Sequence, residues 1–135
     1  MLKLTAELAD GTNTWMVGPK TMEEHIMPCF EASGNYSPEI VAGMPIVLTN
    51  NIDHAKESIG KSLAVYGQLP SYRAMLDREG AVGPADIAII GDENKLGGEI
   101  KRLESLGVTD FNAAIMDVED GAYHRTLEFL GSLRP

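Results

Sequence analysis

The chain has a single cysteine, Cys29, so it cannot close an internal disulfide. That excludes a disulfide-stapled secreted scaffold. With no signal-peptide pattern at its start, the expectation is a cytoplasmic protein. Basic residues are also scarce: 11 Lys and Arg stand against 20 Asp and Glu, for a formal charge of -9. No stretch clusters Lys or Arg, so neither a nucleic-acid groove nor an anionic membrane surface is expected as a partner. Long apolar runs are missing too. The longest, near residues 40–48 and 85–90, are far too short to cross a bilayer. There is no low-complexity segment, no linker and no internal repeat. No G-x-S-x-G, P-loop or G-x-G-x-x-G motif occurs. Gly60-Lys61-Ser62 matches the end of a P-loop but falls inside a helical pattern and lacks the upstream glycine turn.

What the chain does have is an alternation of buried-type strands and amphipathic helices. With 135 residues, 44% of them hydrophobic, it can bury the core of one domain spanning residues 1–135. Leu2, Leu4 and Leu8 with Ala6 and Ala9 predict an opening helix that stops at Asp10-Gly11. Residues 12–17, rich in β-favouring side chains and bounded by glycines, predict a short strand. Thr21 with Glu24 three residues on reads as a capping box for a helix carrying Met22, Ile26, Met27 and Phe30. Residues 39–49 are apolar on both alternations, as in a strand buried on both faces of a parallel sheet. Gly43 and Pro45 predict a bulge or bend there.

A helix capped by Asn51 or Asp53 follows, then a break at residues 66–70 and a short helix over 71–78 closed by Gly80. Residues 86–90 are strand-length and apolar, but a buried helical turn fits them equally. A helix over 92–106, a strand over 108–115 and a helix over 119–130, with Tyr123, Leu127 and Leu130 inward, complete the reading. A helix followed by four β-α units implies an α/β fold with parallel strands. Four such strands make either an open doubly wound sheet or half of an eight-stranded barrel.

The segments AELADGTNTWMVGPKTMEEHIMP, VAGMPIVLTNNIDHAKE, VYGQLPSYRAMLDREG and GDENKLGGEIKRLESLGVTDF together resemble the C-terminal half of luciferase-like oxidoreductases, most nearly the branch that uses the deazaflavin coenzyme F-420. PSYRAMLDREG is the most distinctive piece. The resemblance implies a partial (β/α)8 TIM barrel, members being barrels of about twice this length. It implies that the first strands, and the glycine-rich turn that feeds the opening helix and grips the cofactor phosphate, lie outside these residues. A backbone turn at a helix N-terminus suits that task physically.

In a β/α barrel the C-terminal ends of the strands face the site. That places Trp15, Met16, Gly18, Pro19 and Lys20 on one part of the rim, and Thr49 and Asn50 on another. By resemblance the first set binds the cofactor, F-420 or FMN. Trp15 either stacks near a flavin-like ring or anchors the core, and Lys20 either meets a phosphate or carboxylate or is a solvated charge. Tyr66, Tyr72 and Arg73 form a lid, a subunit contact or a plain packing loop. Asp92 reads as a helix cap whose charge would repel a phosphate. His25 and Cys29 have the spacing of two metal ligands, but Pro28 intervenes and no further ligand is near, so a structural role is expected and no metal site. His54 and His124 read as exposed. No catalytic acid or base stands out.

The implied activity is hydride transfer between a flavin or deazaflavin and a small organic substrate, by a fragment or half-barrel not active alone. Open strand edges imply a homo-oligomer such as a dimer, or a complementing N-terminal half. The alternative is a non-catalytic α/β module that binds a ligand or a protein and oligomerises through its open sheet.

Overall fold

The structure is a computed structural model that describes residues 1–133. Its elements run in order α1 (Leu2–Leu8), β1 (Gly11–Trp15), α2 (Pro19–Thr21), a π-helical stretch (Met22–Ile26), α3 (Met27–Ala32), β2 (Glu39–Leu48), α4 (Ile52–Ser62), a 3-10 turn (Ala64–Gly67), α5 (Pro70–Glu79), a second 3-10 turn (Pro84–Asp86), β3 (Ile89–Gly91), α6 (Glu93–Ser105), β4 (Asp110–Ile115) and α7 (Ala122–Ser132). The fold is α/β, and every strand pairing in its one sheet is parallel.

The lateral order of the strands is not their order in sequence. β2 pairs with all three others. Gly43 is level with both Trp15 and Asn112, and Ile46 with both Ile89 and Ile115. One residue can pair two ways only on opposite edges. β4 therefore occupies one edge of β2, while β1 and the three-residue β3 share the other, β1 along its first half and β3 along its last residues. β3 is a short patch beyond the end of β1, and residues 86–88 before it are turn rather than strand, so the two readings of 86–90 each hold for part of it.

Pro45 explains how this order is tolerated. Proline removes a ladder donor, and in a central strand that normally leaves a gap. Here odd-numbered residues of β2 turn their backbone toward β1 and β3: Met16 donates to Gly43 O at 2.8 Å and Thr49 donates to Gly91 O at 3.0 Å. Pro45 lies between the last residue paired with β1, Gly43, and the first paired with β3, Ile46. Its missing N–H falls where no strand is present. The expected bulge does not form, and the register with β4 runs unbroken from Val41 to Ile46. Gly43 has a separate reason. A Cβ there would stand 2.7 Å from Thr14 O and 3.1 Å from the Trp15 ring, so the glycine makes room for the indole.

Both faces of β2 are apolar, as its sequence implied. Ile40, Ala42, Met44 and Ile46 are buried against Phe30, Ile26, Leu96 and Leu103. On the opposite face Val47 packs with Ala55, Ile59 and Ala122. The first half of that second face is uncovered: Asn13 and Asp110, level with Val41, and Asn112, level with Gly43, are exposed.

Four local expectations change. Thr21 does not cap a helix, because the helical turn begins at Pro19, whose fixed φ suits the first position. The π stretch follows from Pro28: its ring would strike the carbonyl four residues back, at Glu24, and the widened turn there relieves the clash. In α7, Tyr123 and Leu127 face solvent. Ala122, Thr126 and the half-buried Phe129 and Leu130 turn inward, a stripe offset by one position from the expected one. On α1 only Ala6 is buried, with Leu4 and Leu8 exposed.

Thr126 ties α7 to the central strand. Its fully buried hydroxyl donates to Ala122 O at 2.7 Å and accepts from Leu48 N at 2.9 Å. Thr126→Val keeps the shape and orphans a backbone donor, so chemical denaturation should show a loss of about 1–3 kcal/mol. An unchanged midpoint would mean that the Leu48 amide finds another acceptor.

Candidate functional site

The strands are parallel, so their C-terminal ends gather on one rim. At the end of β1 the backbone is unusual. Met16 has φ of 56° and is the sole non-glycine residue with positive φ among the described residues. It is also 1% exposed. A buried, unbranched but bulky side chain held in the left-handed region is strained, and such strain persists where surrounding structure over-determines it, often beside functional sites. Here the turn at Met16 lets its N–H complete the ladder to Gly43 while swinging Val17 and Gly18 inward.

The start of α2 is already served by this chain. The Glu79 carboxylate, from the end of α5, accepts from Thr21 N at 2.6 Å and Lys20 N at 3.2 Å. Gly18 and Pro19 pack at the same place, beside a cleft of about 710 Å³ that also meets Lys56 and Lys95. The Lys20 side chain is exposed. The free amides of that helix start, the feature a phosphate would use, are therefore capped internally.

At the ends of β2 and β4 a cleft of about 580 Å³ is lined by Thr49, Asn50, Asn51, Asp92, Glu119 and Arg125, among others. Thr49 is 4% exposed and donates to Glu119 Oε1 at 2.7 Å. The same oxygen accepts from Arg125 at 2.8 Å, and Thr49 Oγ1 accepts from Asn51 N at 3.0 Å. The cluster is thus one connected network, with the arginine charge balanced by the carboxylate. Asp92 accepts from Lys95 N at 2.8 Å, the cap its sequence position implied. Glu119 was expected inside the last helix. It lies instead in the turn before α7, which is why sequence reading overlooked it and Arg125. For Glu119 the signal was positional, a polar residue in the loop after a strand's C-terminal end, while Arg125 lies in the first turn of α7.

Trp15, Tyr66 and Tyr72 meet edge to face, with ring centroids 6.2 Å apart for Trp15–Tyr66 and 4.8 Å for Tyr66–Tyr72. Arg73 does not join them. Its guanidinium donates to Ala81 O, Val82 O and Asp77 Oδ1 at 2.7–2.8 Å, fastening α5 to the loop that follows. The predicted residues thus fall into four places: the aromatic trio with the adjoining Met16, the Gly18–Lys20 helix start, the Thr49–Asn50 cleft, and Arg73 apart from them, on α5 and tied to the loop that follows. Among the described residues no group of His, Cys, Asp and Glu could hold a metal ion. Exposed His54 contacts Val118 O at 3.0 Å.

No family model and no curated protein matches the sequence. Solved structures do match in fold. An F420-dependent secondary alcohol dehydrogenase in complex with an F420-acetone adduct aligns at TM-score 0.68 and 17% identity, covering 99% of this chain. A coenzyme F420-dependent tetrahydromethanopterin reductase from Methanopyrus kandleri aligns at TM-score 0.69 and 19% identity, covering 97%. The apo form of MsnO8 aligns at 0.61 and 11%. At such identities the likeness is one of fold. This chain spans 46% of each of these proteins, somewhat under half their length.

If Glu79 serves as a helix cap, Glu79→Ala should lower stability by about 0.5–2 kcal/mol in urea unfolding. Glu23→Ala, removing an exposed carboxylate in the same helical segment, should change it by less than about 0.5 kcal/mol. Equal effects would reduce the Glu79 contact to bulk charge.

Proposed function

We propose that this chain forms the C-terminal part of a luciferase-like, F-420-dependent oxidoreductase barrel, moving hydride to or from a small organic substrate. The observation that supports it is the alignment of nearly the whole chain, in one continuous β/α order, with part of two F420-dependent enzymes. The strained Met16 and the half-buried Trp15 stand at the strand end where such a cofactor ring would lie.

The residues present fit the ring end of a deazaflavin or FMN. Trp15 offers an indole N–H, buried and unpartnered, beside an apolar strand end. The backbone amides at Lys20 and Thr21 are held by Glu79, Arg125 is paired with Glu119, and Asp92 occupies the start of α6. When bound, the cofactor supplies the hydride chemistry. This chain supplies one wall of the pocket, the Thr49–Glu119–Arg125 network that holds a substrate hydroxyl or carbonyl in place, and exclusion of water by the aromatic trio. The phosphate grip belongs to the polypeptide that closes the sheet, either a complementing half or a second copy.

Titration with F-420 and with FMN, followed through the fluorescence of each compound, tests this. Saturable binding is expected only in assemblies heavier than a single copy by sedimentation, and Trp15→Phe should weaken it about tenfold, or 1.4 kcal/mol. If no such assembly binds either compound, the oxidoreductase reading falls. A non-catalytic binding module then remains.

A further inference from the structure

Trp15, Tyr66 and Tyr72 come from three separate elements: the end of β1, the 3-10 turn Ala64–Gly67 and the first turn of α5. Their rings nevertheless form one line. Trp15 and Tyr66 meet with planes at 65° and centroids 6.2 Å apart, Tyr66 and Tyr72 at 72° and 4.8 Å. These are contact separations for edge-to-face aromatics. Indole and phenol are also the aromatic side chains that give up a single electron most easily. The line runs from the strand-end rim, beside the strained Met16, to the start of α5. The other two tyrosines, Tyr36 and Tyr123, are exposed, and Tyr123 meets His124 edge to face.

The two ends of the line differ in what they can do with a proton. Trp15 Nε1 is buried and without a hydrogen-bond partner. The indole nitrogen donates and does not accept, and here nothing stands ready to take its proton. An oxidised Trp15 therefore keeps its positive charge, half-buried and unpaired, which is a costly state. Tyr66 and Tyr72 are half-buried as well, but among the described residues neither phenol oxygen is a buried atom lacking a partner. Each phenol opens to water. It can release its proton there as its electron leaves, and it ends as a neutral phenoxyl. The group that cannot shed a proton thus sits at the rim, in contact with groups that can.

We infer that these three side chains form a relay that carries one oxidising equivalent from the rim at Trp15 to the water-facing phenols of Tyr66 and Tyr72. A one-electron oxidant of the oxygen-radical class, such as the carbonate radical, takes an electron from the Trp15 indole and is reduced to carbonate. Tyr66 returns an electron to the indole and loses its phenolic proton to water. Tyr72, in contact with Tyr66, exchanges one electron and one proton with it, so the phenoxyl is shared between them. The sum is one oxidant reduced, one proton released to water and one phenoxyl held on the pair. A soluble thiol restores the phenol by giving it a hydrogen atom. The rim is thereby spared a long-lived oxidised indole. The relay needs no bound cofactor, so it stands or falls apart from the proposed oxidoreductase function.

Pulse radiolysis with azide tests this on the chain as it is. The azide radical oxidises indole ahead of phenol near neutral pH, so the pulse falls on Trp15, the sole tryptophan. The visible band of the tryptophan radical should decay as the near-ultraviolet band of the tyrosine phenoxyl rises. The conversion should be first order and independent of protein concentration, as an internal transfer requires. It should persist in the Tyr36→Phe/Tyr123→Phe double variant. It should vanish in the Tyr66→Phe/Tyr72→Phe double variant, which keeps both rings in place. A nitroso spin trap should mark Tyr66 or Tyr72, read by peptide mass spectrometry. A tryptophan radical that decays in the unsubstituted chain without phenoxyl formation overturns the inference. So does a conversion that survives Tyr66→Phe/Tyr72→Phe, quickens with protein concentration, or leaves its mark on Tyr36 or Tyr123. The trio would then be a packing cluster and nothing more.

Discussion

The structure hangs on β2. It is the only strand hydrogen-bonded on both edges among the described residues, and every other strand reaches the sheet through it. A strand in that position must bury side chains on both faces, and it does so with Ile40, Ala42, Met44 and Ile46 on one and Val47 on the other. It must also supply an unbroken ladder, yet it contains a proline. The conflict is resolved by division of one edge: β1 pairs up to Gly43, β3 begins at Ile46, and Pro45 takes the vacancy between them. Had β1 been two residues longer, the missing N–H would have faced a carbonyl with nothing to give it.

That division also shapes the rim. Because β1 stops early, its end turns sharply at Met16 and leaves the indole of Trp15 lying over Gly43 rather than in a continuing ladder. β3 then carries Gly91 and Asp92 to the end of β2, beside Thr49. Three carboxylates of the chain meet groups near the strand ends: Glu79 the backbone amides of Lys20 and Thr21, Glu119 the Arg125 guanidinium, and Asp92 the amide of Lys95. With a net charge of -9 there are carboxylates to spare for this.

Much of the element order was readable because the signals were local. Gly80 closes α5 in the left-handed conformation, Asp92 caps α6, and the two-sided apolar run of β2 announced a buried parallel strand. Trp15 and Tyr66, predicted for different roles, proved to be neighbours, and Thr49 proved to be buried at a strand end. What misled was chemistry with two local meanings. Thr21 and Glu24 have capping-box spacing, but Pro19 starts the helix earlier. Arg73, read as part of a lid, a subunit contact or a packing loop, is bound to Asp77 of its own helix and to two backbone carbonyls of the following loop. Glu119 read as helical although Asp120-Gly121, with Gly121 left-handed, marks the turn that holds it.

The sequence by itself determined which stretches are strand or helix, that the strands run parallel, and which side chains had to leave water, since periodicity and capping act over a few residues. Only the tertiary structure decided which strand lies beside which, and that Glu79 and Glu119 turn onto partners 59 and 70 residues away. Those are pairings across the sheet, and their energies depend on distances that no local pattern encodes.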